Sequence, residues 1–303
     1  MKKVAVIIPT MNGEPKIAQL LNSLSKQSFQ SFKVILIDSA SSDGTVSIAN
    51  DFKVEIISIE RRDFNHGATR QFGADLATDS DIVVFLTQDA VLADNTSLER
   101  LINCFNDPKV GIVYGRQLPN SGAGPIEAHA RLFNYPDNSS IKSFQDASKL
   151  GIKTVFISNS FAAYRRPVLM EVGGFPRNVI LGEDTYVAAR MLLNGWQIAY
   201  SAEAKVYHSH GYSFRHEFQR YFDIGVFHAR ESWLQQKFGL AEGEGLKFVL
   251  SELRYLIKYN VFLIPSSILR TILKLSAYRL GLAEKRLPNK LKLLFSMNKT
   301  FWK

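Results

Sequence analysis

The sequence contains a single cysteine, Cys104, so no disulfide can form within the chain. This usage is typical of a protein that folds in a reducing compartment. Cys104 lies among apolar neighbours, where a thiol is normally buried and unreactive, and it is a poor candidate for a catalytic nucleophile. The hydrophobic fraction of 46% and the charged fraction of 21% exclude an intrinsically disordered chain.

Long hydrophobic runs are also absent. The apolar run at residues 4–9 is short and lacks a small-residue cleavage site, so we predict a buried strand there and not a signal peptide. Beyond residue 212, the longest uncharged run, residues 259–269, has about half of the roughly 20 residues that a membrane span needs, and Pro265 interrupts it. The sequence therefore predicts a cytoplasmic protein without a transmembrane helix.

Positive charge is concentrated near the C-terminus. Residues 246–303 contain 12 Lys and Arg and two acidic residues, Glu252 and Glu284, whereas the other 245 residues contain 25 basic and 26 acidic ones. Apolar residues accompany these cations, and basic amphipathic helices predict attachment to an anionic membrane surface, at about 1 kcal/mol per cation. Packing on the rest of the chain or in a homo-oligomer is the alternative. No nucleic-acid-binding motif accompanies the charge, so no nucleic-acid partner is expected.

The first 115 residues alternate short apolar runs with segments whose apolar residues have helical spacing. Four of the runs predict strands, at residues 4–9, 34–37, 54–59 and 81–86. This alternation is typical of βαβ units, so we predict an α/β fold with a mostly parallel sheet flanked by helices. Later elements are predicted as strands at residues 110–114, 154–163 and 198–206, a helix at residues 185–194, and further helices beyond residue 212.

Ligands of such sheets bind beyond the carboxyl ends of the strands, so the polar segments that follow the strands are candidate site residues. Pro9, Thr10 and Asn12 end the first strand, and Asp38 and Asp43 follow the second. Carboxylates there can accept hydrogen bonds from a base or a ribose, which predicts nucleoside recognition. The alternative for Asp43 is a turn in which its side chain caps the next helix.

Two further segments carry candidates for binding a diphosphate. Gly67 opens a predicted helix and Arg70 follows one turn later; because helix N-termini bind anions, Arg70 is a candidate phosphate ligand, and a solvated arginine is the alternative. Gln88 and Asp89 come directly after the strand at residues 81–86. A carboxylate in this position can hold a divalent cation that bridges two phosphates.

The second half of the chain supplies two more candidate groups. Glu183 and Asp184 precede a predicted helix, where Asp184 is a candidate general base; the alternative is that both acids only stabilise the helix N-terminus. His208 and His210 alternate in a predicted strand and therefore share one face, which suits a metal ligand at one of them. A hydrogen-bonded structural histidine is the alternative.

In the order and content of these segments, residues 4–210 resemble glycosyltransferase family 2, which has the GT-A fold. The resemblance implies an Mg²⁺ or Mn²⁺ ion held by Asp89 with His208 or His210, although Thr87 replaces the first Asp of the family's Asp-x-Asp motif. It also implies that Asp184 is the catalytic base. The positions that it implies for nucleotide-sugar binding are Pro9, Thr10, Asn12, Asp38, Asp43, Gly67, Arg70, Gln88 and Glu183.

The same resemblance implies a GT-A catalytic domain at residues 1–212. Its nucleotide-binding half would be residues 1–115 and its acceptor-binding half residues 116–212, followed by a basic, membrane-associating helical region at residues 213–303. The Gln-x-x-Arg-Trp signature of processive polysaccharide synthases is absent, which favours a single transfer per encounter.

A finer resemblance is to rhamnosyltransferases of bacterial O-antigen or capsule assembly. It implies an inverting transfer of L-rhamnose from dTDP-rhamnose to a polyprenyl-diphosphate-linked oligosaccharide, on the inner face of the cytoplasmic membrane. A UDP-sugar donor and a non-catalytic membrane-bound scaffold are the alternatives; a nucleotidyltransferase would need a Gly-rich, basic loop that residues 10–15 do not supply. The segments that carry this resemblance are Phe64-Asn65-His66-Gly67, Phe85-Leu86-Thr87-Gln88-Asp89-Ala90 and Arg220-Tyr221-Phe222-Asp223-Ile224-Gly225.

Overall fold

The computed structural model describes residues 2–240 and 243–302 of the chain. Across this part of the chain, strands form one nine-stranded sheet. They are β1 (Val4–Thr10), β2 (Phe32–Asp38), β3 (Glu55–Ser58), β4 (Ile82–Leu86), β5 (Val91–Leu92), β6 (Val110–Leu118), β7 (Ser140–Lys142), β8 (Phe161–Arg165) and β9 (Gln197–Tyr207).

Helices cover both faces of the sheet, and the described chain beyond β9 contains only helices, short 3₁₀ turns and loops. The helices are α1 (Glu14–Ser25), α2 (Thr45–Asn50), α3 (His66–Leu76), α4 (Ser97–Asn103), α5 (Pro125–Asn134), α6 (Ala147–Leu150), α7 (Arg166–Glu171), α8 (Glu183–Leu193), α9 (Phe214–Arg230), α10 (Trp233–Phe238), α11 (Glu244–Tyr259), α12 (Ile264–Leu282) and α13 (Asn289–Phe295).

The strands lie in the order β3-β2-β1-β4-β8-β6-β9-β5, and β7 pairs with β9. β1 runs parallel to both β2 and β4, and β2 runs parallel to β3, so these four strands end at one edge. β8 runs antiparallel to β4 and β6, which makes the complete sheet mixed. The predicted α/β class is confirmed: β3, β2, β1 and β4 form a continuous parallel part, and β6 also runs parallel to β9.

β1 shows why these residues form a central strand. Val6, Ile7 and Ile8 are all fully buried, because alternate residues of a strand point to opposite faces and helices cover both. Ile7 belongs to a core shared with α3, α8 and α9, whereas Val6 and Ile8 belong to a second core shared with α1 and α4. The sheet is therefore buried on both sides, and only its edges and strand ends remain for binding.

Two details differ from the sequence prediction. The strand predicted at residues 154–163 begins only at Phe161, since Asn159 bonds with its side chain to Tyr164 and Glu183 and the preceding residues form a 3₁₀ turn and a loop. Pro265 does not interrupt a helix; it lies in the first turn of α12, where the missing N–H has no cost.

The C-terminal helices α9 and α12 pack against each other through close contacts. Gly225 of α9 and Gly281 of α12 allow the two helices to touch, because a Cβ atom at Gly225 would lie 2.3 Å from the Tyr278 carbonyl oxygen. By length and composition alone, one helical segment among the described residues could cross a membrane, Val261–Leu282, with hydropathy 1.3 and 11% of its most apolar window buried. A single helix that meets this criterion is weak evidence, so no span is assigned.

Candidate active site

The polar residues predicted for nucleoside binding form one hydrogen-bonded rim where β1 and β2 end. The Thr10 hydroxyl donates to Asp38 Oδ1 at 3.2 Å, and the Ser41 N–H donates to Asp38 Oδ2 at 3.0 Å. Asn12 Oδ1 accepts from the Ser42 N–H at 2.9 Å, which joins the loop after β1 to the loop after β2. Pro9 precedes Thr10 in the same strand and pairs with Ile37.

Asp43 and Gln88 complete this rim by binding backbone groups. Asp43 accepts from the N–H groups of Glu14 and Thr45, both at 3.1 Å, so its carboxylate caps the starts of α1 and α2. Gln88 bonds twice to Met11, accepting from its N–H at 2.8 Å and donating to its carbonyl at 3.1 Å. Gln88 therefore holds the loop after β4 against the loop after β1.

Arg70 has a buried partner. Asn65 caps α3 by accepting from the N–H groups of Gly67 and Ala68, and Arg70 follows one turn later. Its Nη1 atom lies 2.8 Å from Glu183 Oε1, and both side chains are almost completely buried. Burial alone would raise the pKa of Glu183, but the charges of Arg70 and His66, with hydrogen bonds from the backbone and Asn159, together lower that pKa. The charge of Arg70, the predicted phosphate ligand, is thus balanced by Glu183, which is the neighbour of the candidate base Asp184.

Gly67 is required for packing at the start of α3. A Cβ atom at this position would lie 1.8 Å from the Pro176 carbonyl oxygen, a distance that no side chain can occupy. The close approach brings α3 against the segment that leads into α8. Gly67 therefore helps to place Arg70 beside Glu183.

Asp89, His208 and His210 converge at the edge of the sheet. Their candidate ligand atoms all lie within 4.8 Å of one another. His208 Nε2 is 3.4 Å from Asp89 Oδ1, His210 Nε2 is 3.6 Å from Asp89 Oδ2, and the two Nε2 atoms are 3.1 Å apart. The prediction that both histidines lie within a strand was wrong, because they follow β9, yet both face the Asp89 carboxylate.

The electrostatics of this cluster leave lone pairs available. Burial opposes ionisation of Asp89, but hydrogen bonding and charge from His208, with the charge of His210, hold its pKa well below the usual range. Burial, together with repulsion from His208, lowers the pKa of His210 to about 4. At neutral pH Asp89 is therefore ionised and the His210 ring is neutral.

Gln117, at the end of β6, orients His208. Its Oε1 atom accepts from Arg131 Nη1 at 2.7 Å and lies 2.9 Å from His208 Nδ1. Because arginine only donates, the shared atom must be the amide oxygen, and His208 Nδ1 must carry a proton. When the His208 ring is neutral, its Nε2 lone pair therefore faces Asp89 and is available to a metal ion, an arrangement typical of histidines that bind metals.

Asp184 lies in the first turn of α8. Its Oδ1 accepts from the Thr185 N–H at 2.7 Å and its Oδ2 from the Asn159 N–H at 3.3 Å. Burial and the negative charge of Glu183 raise the pKa of Asp184 to about 6. Gly182, just before this turn, has φ of 76° and contacts the Phe227 ring, so a side chain there would be strained and would clash. Asp184 is consequently a fixed carboxylate that can exchange a proton near neutral pH.

A cavity of about 940 Å³ joins these groups. Among the predicted site residues, those that line it are Arg70, Asp89, Glu183, Asp184, His208 and His210. Within the described residues, the nucleoside rim and Gly67 lie outside this lining, although β1 pairs with both β2 and β4 and so places the rim beside Asp89. C-terminal residues, including Arg220 and Arg270, also line the cavity.

Sequence reasoning missed three residues that support this site: Asn159, Gln117 and Arg131. Gln117 follows the apolar run at residues 110–114 and could have been found by the same strand-end rule that singled out Asp89. Asn159 lies in a loop that was predicted as strand, which concealed it. Arg131 sits on α5, where a solvated arginine would give the same sequence signal.

Comparison with known proteins places the chain in a family. Residues 5–173 match the family model described as Glycosyl transferase family 2. The chain is 48% identical over 301 residues to the O-antigen chain rhamnosyltransferase RfbN of Salmonella typhimurium (strain LT2), covering 99% of this chain and 96% of that protein. It is also 48% identical over 303 residues to the O-antigen chain rhamnosyltransferase WbaN of Salmonella anatum, covering 100% of this chain and 96% of that protein.

Solved structures share the architecture. The mannosyltransferase PcManGT from Pyrobaculum calidifontis, in complex with GDP-Man and Mn²⁺, is similar with a TM-score of 0.65 and 21% identity, over 95% of this chain and 88% of that one. S. aureus TarS 1–349 in complex with UDP is similar with a TM-score of 0.56 and 19% identity, over 94% of this chain and 91% of that one. These likenesses show the fold alone. The family match and the near full-length relatives exclude the scaffold alternative: the chain belongs to glycosyltransferase family 2, has the GT-A fold and is a sugar-transferring enzyme.

Proposed function

We propose that the protein transfers L-rhamnose from dTDP-rhamnose to a hydroxyl of a polyprenyl-diphosphate-linked oligosaccharide, with inversion at the anomeric carbon, in O-antigen synthesis. The 48% identity to two O-antigen chain rhamnosyltransferases over nearly the whole chain supports the sugar and the process. The observation that carries the chemistry is that one cavity contains both the Asp89–His208–His210 cluster and the carboxylate of Asp184.

The cluster of Asp89, His208 and His210 fits a divalent cation. One carboxylate and two imidazoles converge, and Gln117 holds His208 with its Nε2 lone pair toward Asp89. We propose Mg²⁺ or Mn²⁺, because both ions bind carboxylate oxygens as well as diphosphate oxygens. When bound, such an ion neutralises charge on the diphosphate that leaves the sugar. PcManGT, which shares the fold, is described with Mn²⁺.

Asp184 acts as the general base in this proposal. Its carboxylate is held by the N–H groups of Thr185 and Asn159, and its pKa of about 6 keeps it ionised at neutral pH while leaving it basic enough to take a proton. The acceptor hydroxyl gives its proton to Asp184 as its oxygen attacks the anomeric carbon. Attack on the face opposite the leaving diphosphate inverts the configuration, so no covalent intermediate with the protein is needed.

The donor is tested by incubating the purified protein with dTDP-rhamnose or UDP-sugars, with Mg²⁺, Mn²⁺ or EDTA, and by following nucleoside diphosphate release. We expect metal-dependent turnover of dTDP-rhamnose when an O-antigen acceptor is present. Turnover of a UDP-sugar alone would refute the donor assignment while leaving the fold and the base in place. Failure with every nucleotide sugar, with folded protein and acceptor present, would refute the proposed reaction.

Replacement of Gln117 by leucine is expected to weaken Mn²⁺ binding by about 10- to 100-fold, because His208 would lose the hydrogen bond that fixes its ring. The measurement is a titration of free Mn²⁺ by electron paramagnetic resonance. Gln145→Leu, which changes an exposed glutamine far from the cluster in sequence, is the control and should bind Mn²⁺ as the parent does. Equal affinity of both variants would show that His208 is positioned without Gln117.

The C-terminal helices support attachment to the inner face of the cytoplasmic membrane. Residues 253–283 contain no acidic residue but five cations, of which Arg254, Lys258 and Arg279 are exposed. The turn between α11 and α12 carries Val261 and Phe262, and Phe262 is 89% exposed. Charge complementary to anionic lipid and an exposed apolar tip are the two features of a surface that lies in the headgroup region. One side of α12 packs on α9, so attachment uses the other side.

Phe262→Asp is expected to reduce binding to vesicles of phosphatidylethanolamine and phosphatidylglycerol by at least about tenfold, since a buried Phe contributes roughly 1.5–3 kcal/mol. Co-sedimentation measures the bound fraction. Ile141→Asp introduces the same charge at an exposed apolar residue of β7, and binding should be retained. A Phe262→Asp protein that still sediments with the vesicles would place any membrane contact elsewhere.

A further inference from the structure

Five cations line the cavity, and four of them are already engaged. Arg70 pairs with Glu183 at 2.8 Å, and Arg131 donates to Gln117 at 2.7 Å. Arg270 and Lys274 both contact Glu217, at 2.6 and 3.1 Å. These arginines and this lysine are held by the protein itself, so their capacity to bind another anion is reduced.

Arg220 of α9 is the exception. Its side chain is exposed, it lines the cavity, and among the described residues it has no hydrogen-bond or ion-pair partner. Its guanidinium carbon lies 5.8 Å from the centroid of the Tyr212 ring. A guanidinium that faces a cavity without a carboxylate partner remains available to a ligand with negative charge.

A short series of contacts connects Arg220 to the metal-binding cluster. The Tyr212 ring lies 5.4 Å from the His210 ring, and His210 Nε2 lies 3.6 Å from Asp89. Arg220 therefore stands on the same side of the cavity as the Asp89–His208–His210 cluster. Burial lowers the pKa of His66, which also lines the cavity. The charge of Arg220 adds to this lowering.

The surrounding segment fixes the helix that carries Arg220. Asp223 Oδ2 accepts from the N–H groups of Met297 and Asn298 at 3.0 and 3.2 Å, which ties α9 to the C-terminal segment. Gly225 makes the close contact with α12. Arg220-Tyr221-Phe222-Asp223-Ile224-Gly225 thus combines one free cation with two residues that hold its helix in place.

We propose that Arg220 binds the diphosphate of the donor nucleotide, together with the Asp89–His208–His210 cluster. The inference rests on the proposed function, because it takes a nucleoside diphosphate sugar as the ligand. As the bond between the anomeric carbon and the β-phosphate oxygen breaks, its electron pair stays on that oxygen; the acceptor oxygen bonds to carbon and its proton passes to Asp184. The guanidinium donates two parallel hydrogen bonds to phosphate oxygens, where the negative charge increases.

The assignment separates the roles of the two arginines near the cavity. The sequence singled out Arg70 as the phosphate ligand, but Arg70 is buried and its charge is balanced by Glu183. Withdrawing Arg70 from Glu183 would leave an unpaired buried carboxylate, which is costly. Arg220 needs no such rearrangement, so it can bind the donor without disturbing the base.

The test compares Arg220→Gln, Arg220→Lys and the control Arg215→Gln. Arg215 is exposed on the same helix but does not line the cavity, so both glutamine variants lose one positive charge from α9. Binding of thymidine, dTDP and UDP is measured by calorimetry with Mn²⁺ present, and turnover of the donor is measured separately. We expect Arg220→Gln to weaken nucleoside diphosphate binding by about tenfold and to lower kcat by about 100-fold. Thymidine binding should not change, and Arg220→Lys should recover part of the loss.

The two proposals fail in different ways. If the unmodified protein binds neither dTDP nor UDP with Mn²⁺ present, the proposed function and the role of Arg220 are both overturned. If it binds either nucleotide and Arg220→Gln behaves like Arg215→Gln in affinity and turnover, only the role of Arg220 is overturned. Circular dichroism of the three variants confirms that they are folded.

Discussion

Asp184→Asn is expected to lower kcat by about 10³-fold without weakening binding of the donor nucleotide. Asparagine has nearly the same shape and keeps an oxygen that can accept from the Thr185 N–H, so the start of α8 should be preserved. It cannot take a proton from the acceptor hydroxyl. The loss should therefore appear in turnover, measured as dTDP release in the presence of acceptor, and dTDP affinity should stay at the parent value.

Asp137→Asn is the matched control, since it makes the same chemical change at an exposed carboxylate that does not line the cavity. This variant should turn over like the parent protein. If Asp184→Asn retains most of its kcat while nucleotide binding is normal, another group must accept the proton. A loss of nucleotide binding with intact secondary structure would instead give Asp184 a binding role.

The same assignment fixes the direction of the pH dependence. Burial and the charge of Glu183 raise the pKa of Asp184 to about 6, and only the ionised carboxylate can act as a base. Turnover should therefore be constant above this pKa and fall about tenfold for each unit below it. The small residual activity of Asp184→Asn should not show this fall, which distinguishes titration of the base from acid unfolding of the protein.

The strand-end rule was enough to predict much of the candidate site. β1, β2 and β4 are short apolar runs, and the polar residues after them, Thr10, Asp38 and Asp89, meet at one edge because parallel strands end together. The rule uses only local patterns. Asp184, in the first turn of α8, was identified from another local pattern, its position at the start of a predicted helix.

Long-range pairing was not predictable from local patterns. Arg70 and Glu183 are 113 positions apart, and nothing near either residue indicates that their charges are balanced in the fold. His208 and His210 were predicted to share a strand face, whereas they follow β9 and face Asp89 through the path of the loop. Gln117 contributes through an amide that could equally have been a surface residue. Such contacts depend on how β6, β8 and β9 are ordered in the sheet, which a single sequence does not fix.

For the C-terminal helices, too, the sequence did not predict which side packs on the protein and which side is exposed. Composition indicated basic amphipathic helices, and in the structure α12 packs one side on α9 while Ile268, Leu269 and Ile272 remain exposed. Membrane attachment and packing on the body had been treated as alternatives. In the structure the two are compatible, because one side of α12 packs on α9 and another side is exposed. Arg270 of the same helix lines the cavity, so the proposed membrane surface and the candidate active site share α12.

Asp89→Asn is expected to remove the metal dependence of nucleotide binding and to lower kcat by about 10³-fold, since a bound divalent ion contributes several kcal/mol to stabilising a leaving diphosphate. Asparagine retains the size of the side chain but not the charge that, with His208 and His210, would hold the ion. In calorimetry, dTDP should bind this variant equally weakly with Mn²⁺ and with EDTA, whereas the parent protein should bind it more tightly with Mn²⁺. Treatment of the parent with EDTA should reproduce the defect.

The control for this prediction is Asp51→Asn, which neutralises an exposed carboxylate at the end of α2 and should leave the Mn²⁺ effect intact. The comparison of Asp89→Asn with Asp184→Asn is equally informative. The first should lose metal-dependent nucleotide binding and turnover together, and the second should lose turnover alone, because one carboxylate is assigned to the leaving group and the other to the acceptor. If Asp89→Asn bound dTDP more tightly with Mn²⁺ than with EDTA, as the parent should, the three-residue cluster would not be the metal site, and the assignment of the leaving-group side of the cavity would have to be abandoned.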